Sequence, residues 1–511
     1  MKARLLLLIF AARLAVAQPG AVSGPLVVSD RWPECTTLQS WTHDVMRLEG
    51  LEQSPETAQA KAFFHWLRLF SRMATGGMIQ AWEGDDGHEK YVTDAYKNLF
   101  VYGWGYCDTT SRIAEAAWTE FKHDPQGAER VVLQHEDGGY HTLYRLRLDG
   151  HYGAFDPRYG YYLIERDSPD ARILDWSEIH DNVLKNRNYR HRSAPFFEYF
   201  GLEWQRAQLI RPAYYATEEA WIAAGKPKET VFGNRQYTPG KRFHDMDFQL
   251  LPGMTIERHW DNGARKFYVP SGRHTQNEEP FLPSGRFYRV TETMLDGNWV
   301  KYDPNYQKAK PYLVTVPRNE GYNQDVSGGR TIGQAWGKII YQPDARAVAG
   351  GLIDIYSPFI LVDGSLQTQG ALAGGPEIRT LRAKVSSEAE PDRWSLWTPV
   401  RAGGLSQAKG IYRFQIRAPA ASLTALKLEL YFENGIMSIP QIFAGRNTIH
   451  FKVHDAASIK WPISVTYRYQ TADGERVHTQ ALASKDFHGN IATYEIDAPG
   501  LVRCNSLTIA Y

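Results

Sequence analysis

Cysteine is scarce in this chain: Cys35, Cys107 and Cys504 are the only three among 511 residues. An odd, small number excludes a disulfide-built scaffold, and no Cys/His set has the spacing of a zinc site. Net charge is nearly absent too, with 58 Lys and Arg against 57 Asp and Glu, a formal balance of +1. That excludes the broad positive field of a nucleic-acid or polybasic membrane binder, so no nucleic-acid partner is expected. After the N-terminal leader no run reaches the ~18 apolar residues of a spanning helix, so no transmembrane segment is expected. No glycine loop of the phosphate-binding type occurs, and no cofactor is expected. Aromatic residues are plentiful, with 15 Trp and 29 Tyr. They suit β-rich domains and surfaces that stack on sugars alike. Hydrophobic residues at 43% and charged residues at 23% fit a globular chain. Its length suggests about three domains.

The first residues read as an export signal. Lys2 and Arg4 precede the apolar stretch Leu5 to Ala12, and Ala15-Val16-Ala17 forms a small-residue cleavage site before Gln18. The expected location is periplasmic or extracellular. In such a compartment Cys35 and Cys504 could pair and tie the two ends of the chain together. The alternative is three unrelated buried thiols, and spacing alone does not choose.

The expected fold class is α+β, in four parts: a signal peptide over 1–17, an N-terminal cysteine domain over 30–215, a β-rich middle domain over 216–345, and a C-terminal β-sandwich over 346–511. A helix is predicted over 54–75, with Ser54 as N-cap, Pro55 in the first turn, an apolar face of Phe63, Leu67 and Phe70, and Gly76-Gly77 as the stop. A second helix begins just after Cys107 on the stripe Ile113, Ala117 and Phe121 and stops at Asp124-Pro125. Strands follow at Arg130–Leu133 and Tyr140–Leu148. Asp149-Gly150 is a two-residue hairpin signal, and Tyr152–Asp156 is the returning strand. The stretch from Asp149 to Tyr159 is echoed 147 residues later, from Asp296 to Tyr306, with five of eleven positions identical. It reads either as a degenerate second copy or as the shared chemistry of hairpins ending in Asp-Pro.

The chemistry gathers on Cys107. In Gly105-Tyr106-Cys107-Asp108 the thiol stands at a helix entrance, where unpaired N–H groups favour a thiolate and can hold an oxyanion. Asp108 opposes this, because a neighbouring carboxylate disfavours S⁻. The expected base is His141 and the expected orienting group Asp156. If the turn is Asp149-Gly150 alone, paired positions sum to 299, and His141 and Asp156 become diagonal neighbours on one face, about 7–8 Å apart. A three-residue turn would separate them. His135 and His151 are competing bases that read as loop residues. Trp104, Tyr106, Arg158 and Tyr159 are candidate cleft residues, with packing of the Tyr159–Tyr162 turn as the alternative. His244-Asp245-Met246-Asp247 and His259-Trp260-Asp261 match no established metal spacing.

A Gly-x-Cys opening a helix, a His at a strand start and an Asp-Pro some fifteen residues later together resemble the transglutaminase-like superfamily. The resemblance covers residues 50 to 165. It implies a papain-like cysteine fold, a triad of Cys107, His141 and Asp156, and a thioester intermediate. Asp108, Thr142 and Leu143 stand where that family often has aromatic residues. Gln80, Trp82 and Asn98 are candidates for its further oxyanion donor. The implied activity is acyl transfer from an amide or peptide bond, with a peptide, protein or cell-wall substrate and hydrolysis favoured over crosslinking. The alternative is a non-catalytic surface protein that binds polysaccharide on a retained fold.

Overall fold

The computed structural model describes residues 20–73, 95–102, 107–134, 140–157, 161–165, 170–175, 246–260, 336–345, 352–359, 361–370, 423–433 and 439–511. It adds residue 178 and short strand segments at 82–83, 90–91, 104–105, 208–210, 267–268, 287–288, 312–315, 382–386, 398–399 and 411–415. The fold is mixed α+β, with few helices and extensive antiparallel sheet. The leader at 1–17 lies outside the described residues.

Three helices cover one face of a six-stranded sheet. Helix α1 (Leu38–Leu48) is opened by Thr37, whose Oγ1 accepts from the Ser40 N–H at 2.9 Å, while Ser40 Oγ accepts from the Thr37 N–H at 3.0 Å. This reciprocal cap satisfies two otherwise unpaired donors. Helix α1 is absent from the sequence expectations. Its signal was there in Thr37-x-x-Ser40 followed by Leu38, Trp41 and Val45, but serine replaces the usual Glu or Gln of the motif. Helix α2 (Glu56–Phe70) starts one residue later than expected: Pro55, not Ser54, stands at the cap, and no side chain caps it. It ends well before Gly76-Gly77, which lie outside the described residues. The chain turns extended at Ser71 and enters the strand Arg72–Met73. Helix α3 (Cys107–Lys122) begins and ends where the sequence placed it. His123 adopts φ 52°, a left-handed stop.

The sheet runs in the spatial order 208–210, 128–134, 140–148, 151–156, 161–164, 312–315, every pair antiparallel. Trp41, Phe63, Phe64 and Trp118 from the helices meet Tyr144, Leu146 and Phe155 from the sheet in one core. Edge-on ring pairs such as Phe63–Trp118 at 5.3 Å fill it.

Strands of two further sheets build a second core. A seven-stranded sheet is ordered 361–370, 423–433, 336–341, 254–259, 501–510, 463–471, 474–482, and a three-stranded sheet is ordered 26–29, 445–452, 491–498. Apolar residues of both close over one core, including Leu430, Ile449, Tyr467, Ile496 and Leu507. Two sequence expectations change here. Strands Met254–His259 and Trp336–Tyr341 lie inside the large sheet, and Tyr312–Thr315 joins the six-stranded one. The stretch 216–345 is therefore shared between both units, and residue 345 is no boundary. Leu26–Ser29 pairs with the strand 445–452, and Val22–Ser23 with Gln249–Leu250. The helix-and-sheet unit is thus inserted into the two-sheet unit after the latter's first strands.

Two histidines are held below their ordinary pKa by burial: His65 on α2, where Glu49 partly opposes the effect, and His478 on the edge strand Gly474–Leu482. The His478 ring lies parallel to Tyr494 with centroids 6.2 Å apart. The unfolded chain takes up these protons near pH 6.5, and the folded chain only at lower pH. Unfolding therefore binds protons below about pH 6.5, and stability falls as pH falls. The melting temperature is expected to drop between pH 6.5 and 5, and to drop less in His478→Phe. A variant that tracks the wild type through that window would contradict this assignment.

Candidate functional site

The chain reaches Cys107 through the short strand Trp104–Gly105, which runs parallel to Arg72–Met73. A π-helical turn at Lys97–Tyr102 precedes it. Leu99, Phe100 and Val101 are buried there, and Asn98 is only 1% exposed. Cys107 is the first residue of α3 and partly exposed. Its N-terminal position gives it the unpaired N–H groups of the first turn.

Helix α3 descends beside the strand Tyr140–Leu148 from that strand's beginning. Ser111 Oγ donates to the Thr142 carbonyl at 3.5 Å, and the loop after Lys122 returns to Ala128, which pairs with Leu146 at the far end. The start of α3 and the start of the His141 strand therefore lie at the same end of the sheet.

The hairpin after the His141 strand has a two-residue turn. Asp149 and Gly150 adopt φ 48° and 88°, the left-handed pair of a type I′ turn. Pairs from Leu148–His151 to Tyr144–Phe155 all sum to 299. His141 is the second residue of its strand, opposite Leu133, and Asp156 is the last residue of the adjacent strand, opposite Tyr161. Asp156 is 1% exposed. Asp156 shares the face of Leu143. Tyr144, Leu146 and Phe155, which pack against α2 and α3, have the opposite parity. His151 pairs with Leu148 and has that opposite parity as well.

Asp108 differs from expectation. Its carboxylate is enclosed by cations: Oδ2 accepts from Arg112 Nε at 2.7 Å, and Oδ1 from Arg130 Nη1 at 3.0 Å. Arg130 Nε also donates to Glu115 at 2.7 Å. The two aspartate-bound guanidiniums are as buried as the carboxylate. Two positive and two negative charges form a neutral quartet, so Asp108 is not the bare repulsive charge that its place in the sequence suggests. The two carboxylates raise the Arg130 pKa despite its burial, whereas burial and Arg130 lower that of Arg112.

The other candidates divide. Tyr106, Arg158, Tyr159, Gln80, His135, His244, Asp245 and Asp261 lie outside the described residues, as does the echo at 296–306. Trp104 lies in the strand pair leading to the helix, and Trp82 pairs with Tyr91. Tyr162 packs, its ring 5.4 Å from Phe155 and 5.8 Å from Phe64. His259 stacks on Trp336 at 4.0 Å and lies 3.5 Å from Glu257. Asp247 is 3.8 Å from His454. Among the described residues no group of three or more His, Cys, Asp or Glu is placed to hold a metal ion, and no helix is long and apolar enough to cross a membrane.

Cys35 and Cys504 are not joined by a disulfide. They are buried in different cores, Cys35 with the helices and Cys504 between the two sheets. Burial, with Glu34 and Asp44 nearby, pushes the Cys35 thiol well up. Cys107 is the one partly exposed thiol of the three.

No protein-family model matches this chain, and no curated protein does. Among solved structures, the chain is similar to the pilus backbone of Streptococcus pneumoniae at 13% identity, over 34% of this chain and 71% of that one, with a TM-score of 0.11. A putative beta-galactosidase from Bacteroides fragilis is similar at 9% identity, over 34% of this chain and 28% of that one, with a TM-score of 0.09. Overlaps this slight carry no argument about fold or activity.

Proposed function

We propose that the protein is an exported cysteine enzyme of transglutaminase-like type that cleaves an amide or peptide bond. Cys107 Sγ attacks the carbonyl carbon, and N–H groups of the first α3 turn stabilise the oxyanion. His141 takes the thiol proton and delivers it to the leaving nitrogen as the C–N bond breaks. Asp156 orients the imidazole. Water then hydrolyses the thioester, with His141 again as base. The carrying observation is the 299 register through a two-residue turn. Continued to the strand ends, it makes His141 and Asp156 diagonal neighbours on one face. The body of α3 covers the opposite face, so Cys107 and His141 have to meet around the end of the sheet where helix and strand both begin. A peptide or cell-wall peptide is the proposed substrate class.

The test is the pH dependence of Cys107 alkylation by iodoacetamide, in wild type and in His141→Ala. Burial of Cys35 and Cys504 leaves Cys107 as the thiol read in the folded protein. Fast reaction well below pH 8, slowed at least about tenfold by His141→Ala, is expected for an activated pair. A rate that rises only near pH ~8.5 and ignores His141 would refute the proposal.

A further inference from the structure

We propose that Arg130 is a positioning residue for Cys107, fixing the start of α3 to the sheet and cancelling the charge of the carboxylate next to the thiol. This rests on the cysteine-enzyme reading above. Asp108 follows Cys107 directly and is 4% exposed, so neither water nor a long side-chain excursion can screen it. Its two oxygens are bound by separate guanidiniums, one from its own helix and one from the strand Ala128–Gln134. That strand pairs with the strand carrying His141, and Leu133, three residues beyond Arg130, stands opposite His141. A single side chain therefore links the helix turn holding the nucleophile to the strand pair holding its base. Arg130 also engages Glu115 one helical turn beyond Arg112, which fixes its fork from two sides.

The quartet is neutral only as a set. Asp108, Arg112 and Glu115 face the turn from α3, and Arg130 faces it from the sheet. His141 lies in the neighbouring strand, and Arg72 lies in the strand paired with 104–105. Removing Asp108 leaves an excess positive charge beside the thiol, and removing Arg130 leaves an excess negative one. Both changes break the same buried ion pair, so both loosen the fold. Their effects on thiol ionisation have opposite signs, which a purely structural role would not give.

The experiment measures iodoacetamide alkylation of Cys107 in the full chain from pH 5 to 10, for wild type, Asp108→Asn, Arg130→Gln and the double variant. Thermal melts confirm that each is folded. The midpoint is expected to move down by about one pH unit in Asp108→Asn and up by about one in Arg130→Gln. The double variant, neutral again, returns close to the wild-type midpoint. Shifts of the same sign, or none, would overturn the inference. If Arg130→Gln does not fold, Arg112→Gln replaces it with the same expected sign. A wild-type midpoint near the ordinary thiol value that is indifferent to His141→Ala would sink the enzyme reading alone, because the sign test needs only an accessible thiol.

Discussion

Replacing Gly337 by valine is expected to destabilise the two-sheet unit strongly. Gly337 lies in the strand Trp336–Tyr341, between Arg258 on one side and Phe432 on the other. A Cβ there would meet the Phe432 ring at 1.9 Å and the Glu257 carbonyl oxygen at 2.5 Å. The ring cannot yield, because Phe432 is fully buried and stacked on Phe359 at 4.4 Å. The carbonyl cannot yield either, because it belongs to a central strand of the sheet. Interiors packed at this density answer added volume with strain rather than compression. We expect a loss of about 3–5 kcal/mol, a large share of what a domain of this kind has. Denaturant unfolding monitored by tryptophan fluorescence reads it. A Gly337→Val protein with a midpoint close to wild type would mean that the ring above Gly337 is far less constrained than its packing indicates.

A chain starting at Asp30 is expected to lose cooperative folding of the same unit. The missing residues supply Val22, Val27 and Val28 to the core and the outer strand of the three-stranded sheet. They also contribute the Gly24 N–H bond to the Phe248 carbonyl at 2.7 Å and accept the His454 N–H at Ser23 at 2.9 Å. Three buried valines are worth about 5–9 kcal/mol of transfer free energy together, before the exposed edge of strand 445–452 is counted. Calorimetry of the shortened chain should show the transition broadened or lost. A sharp transition at the wild-type temperature would show that the first strands merely decorate the sheet. The same reasoning warns against expressing residues 216–511 as a separate domain.

What could be read from the sequence was local. The Asp149-Gly150 turn and the alternating strands are enough to dictate the hairpin and its register. The stripe Ile113, Ala117 and Phe121 located α3, and with it the helix-start position of Cys107. What could not be read depends on distant partners. Nothing in Leu26–Ser29 announces that it pairs with 445–452, and a boundary at residue 345 divides strands of one sheet. Beside Cys107 alone Asp108 is a repulsive charge, whereas in the fold it is compensated by Arg130, 22 residues away. Cys35 and Cys504 looked matched only because each lies near an end of the chain.

The insertion of one unit inside the other has a consequence for synthesis. Val27 pairs with Phe451, so one of the first strands to leave the ribosome waits for a partner made some 420 residues later. At the usual ~5–20 residues per second that wait is roughly 20 to 80 seconds. Throughout it, an apolar β-segment has no sheet to join, and the two-sheet unit cannot begin to close from its own N-terminal end. The helix-and-sheet unit, whose paired strands lie mostly near one another along the chain, is free to fold first. A nascent chain stalled before residue 445 would then hold a folded helical half and an open β half, the state in which a holding chaperone has most to protect.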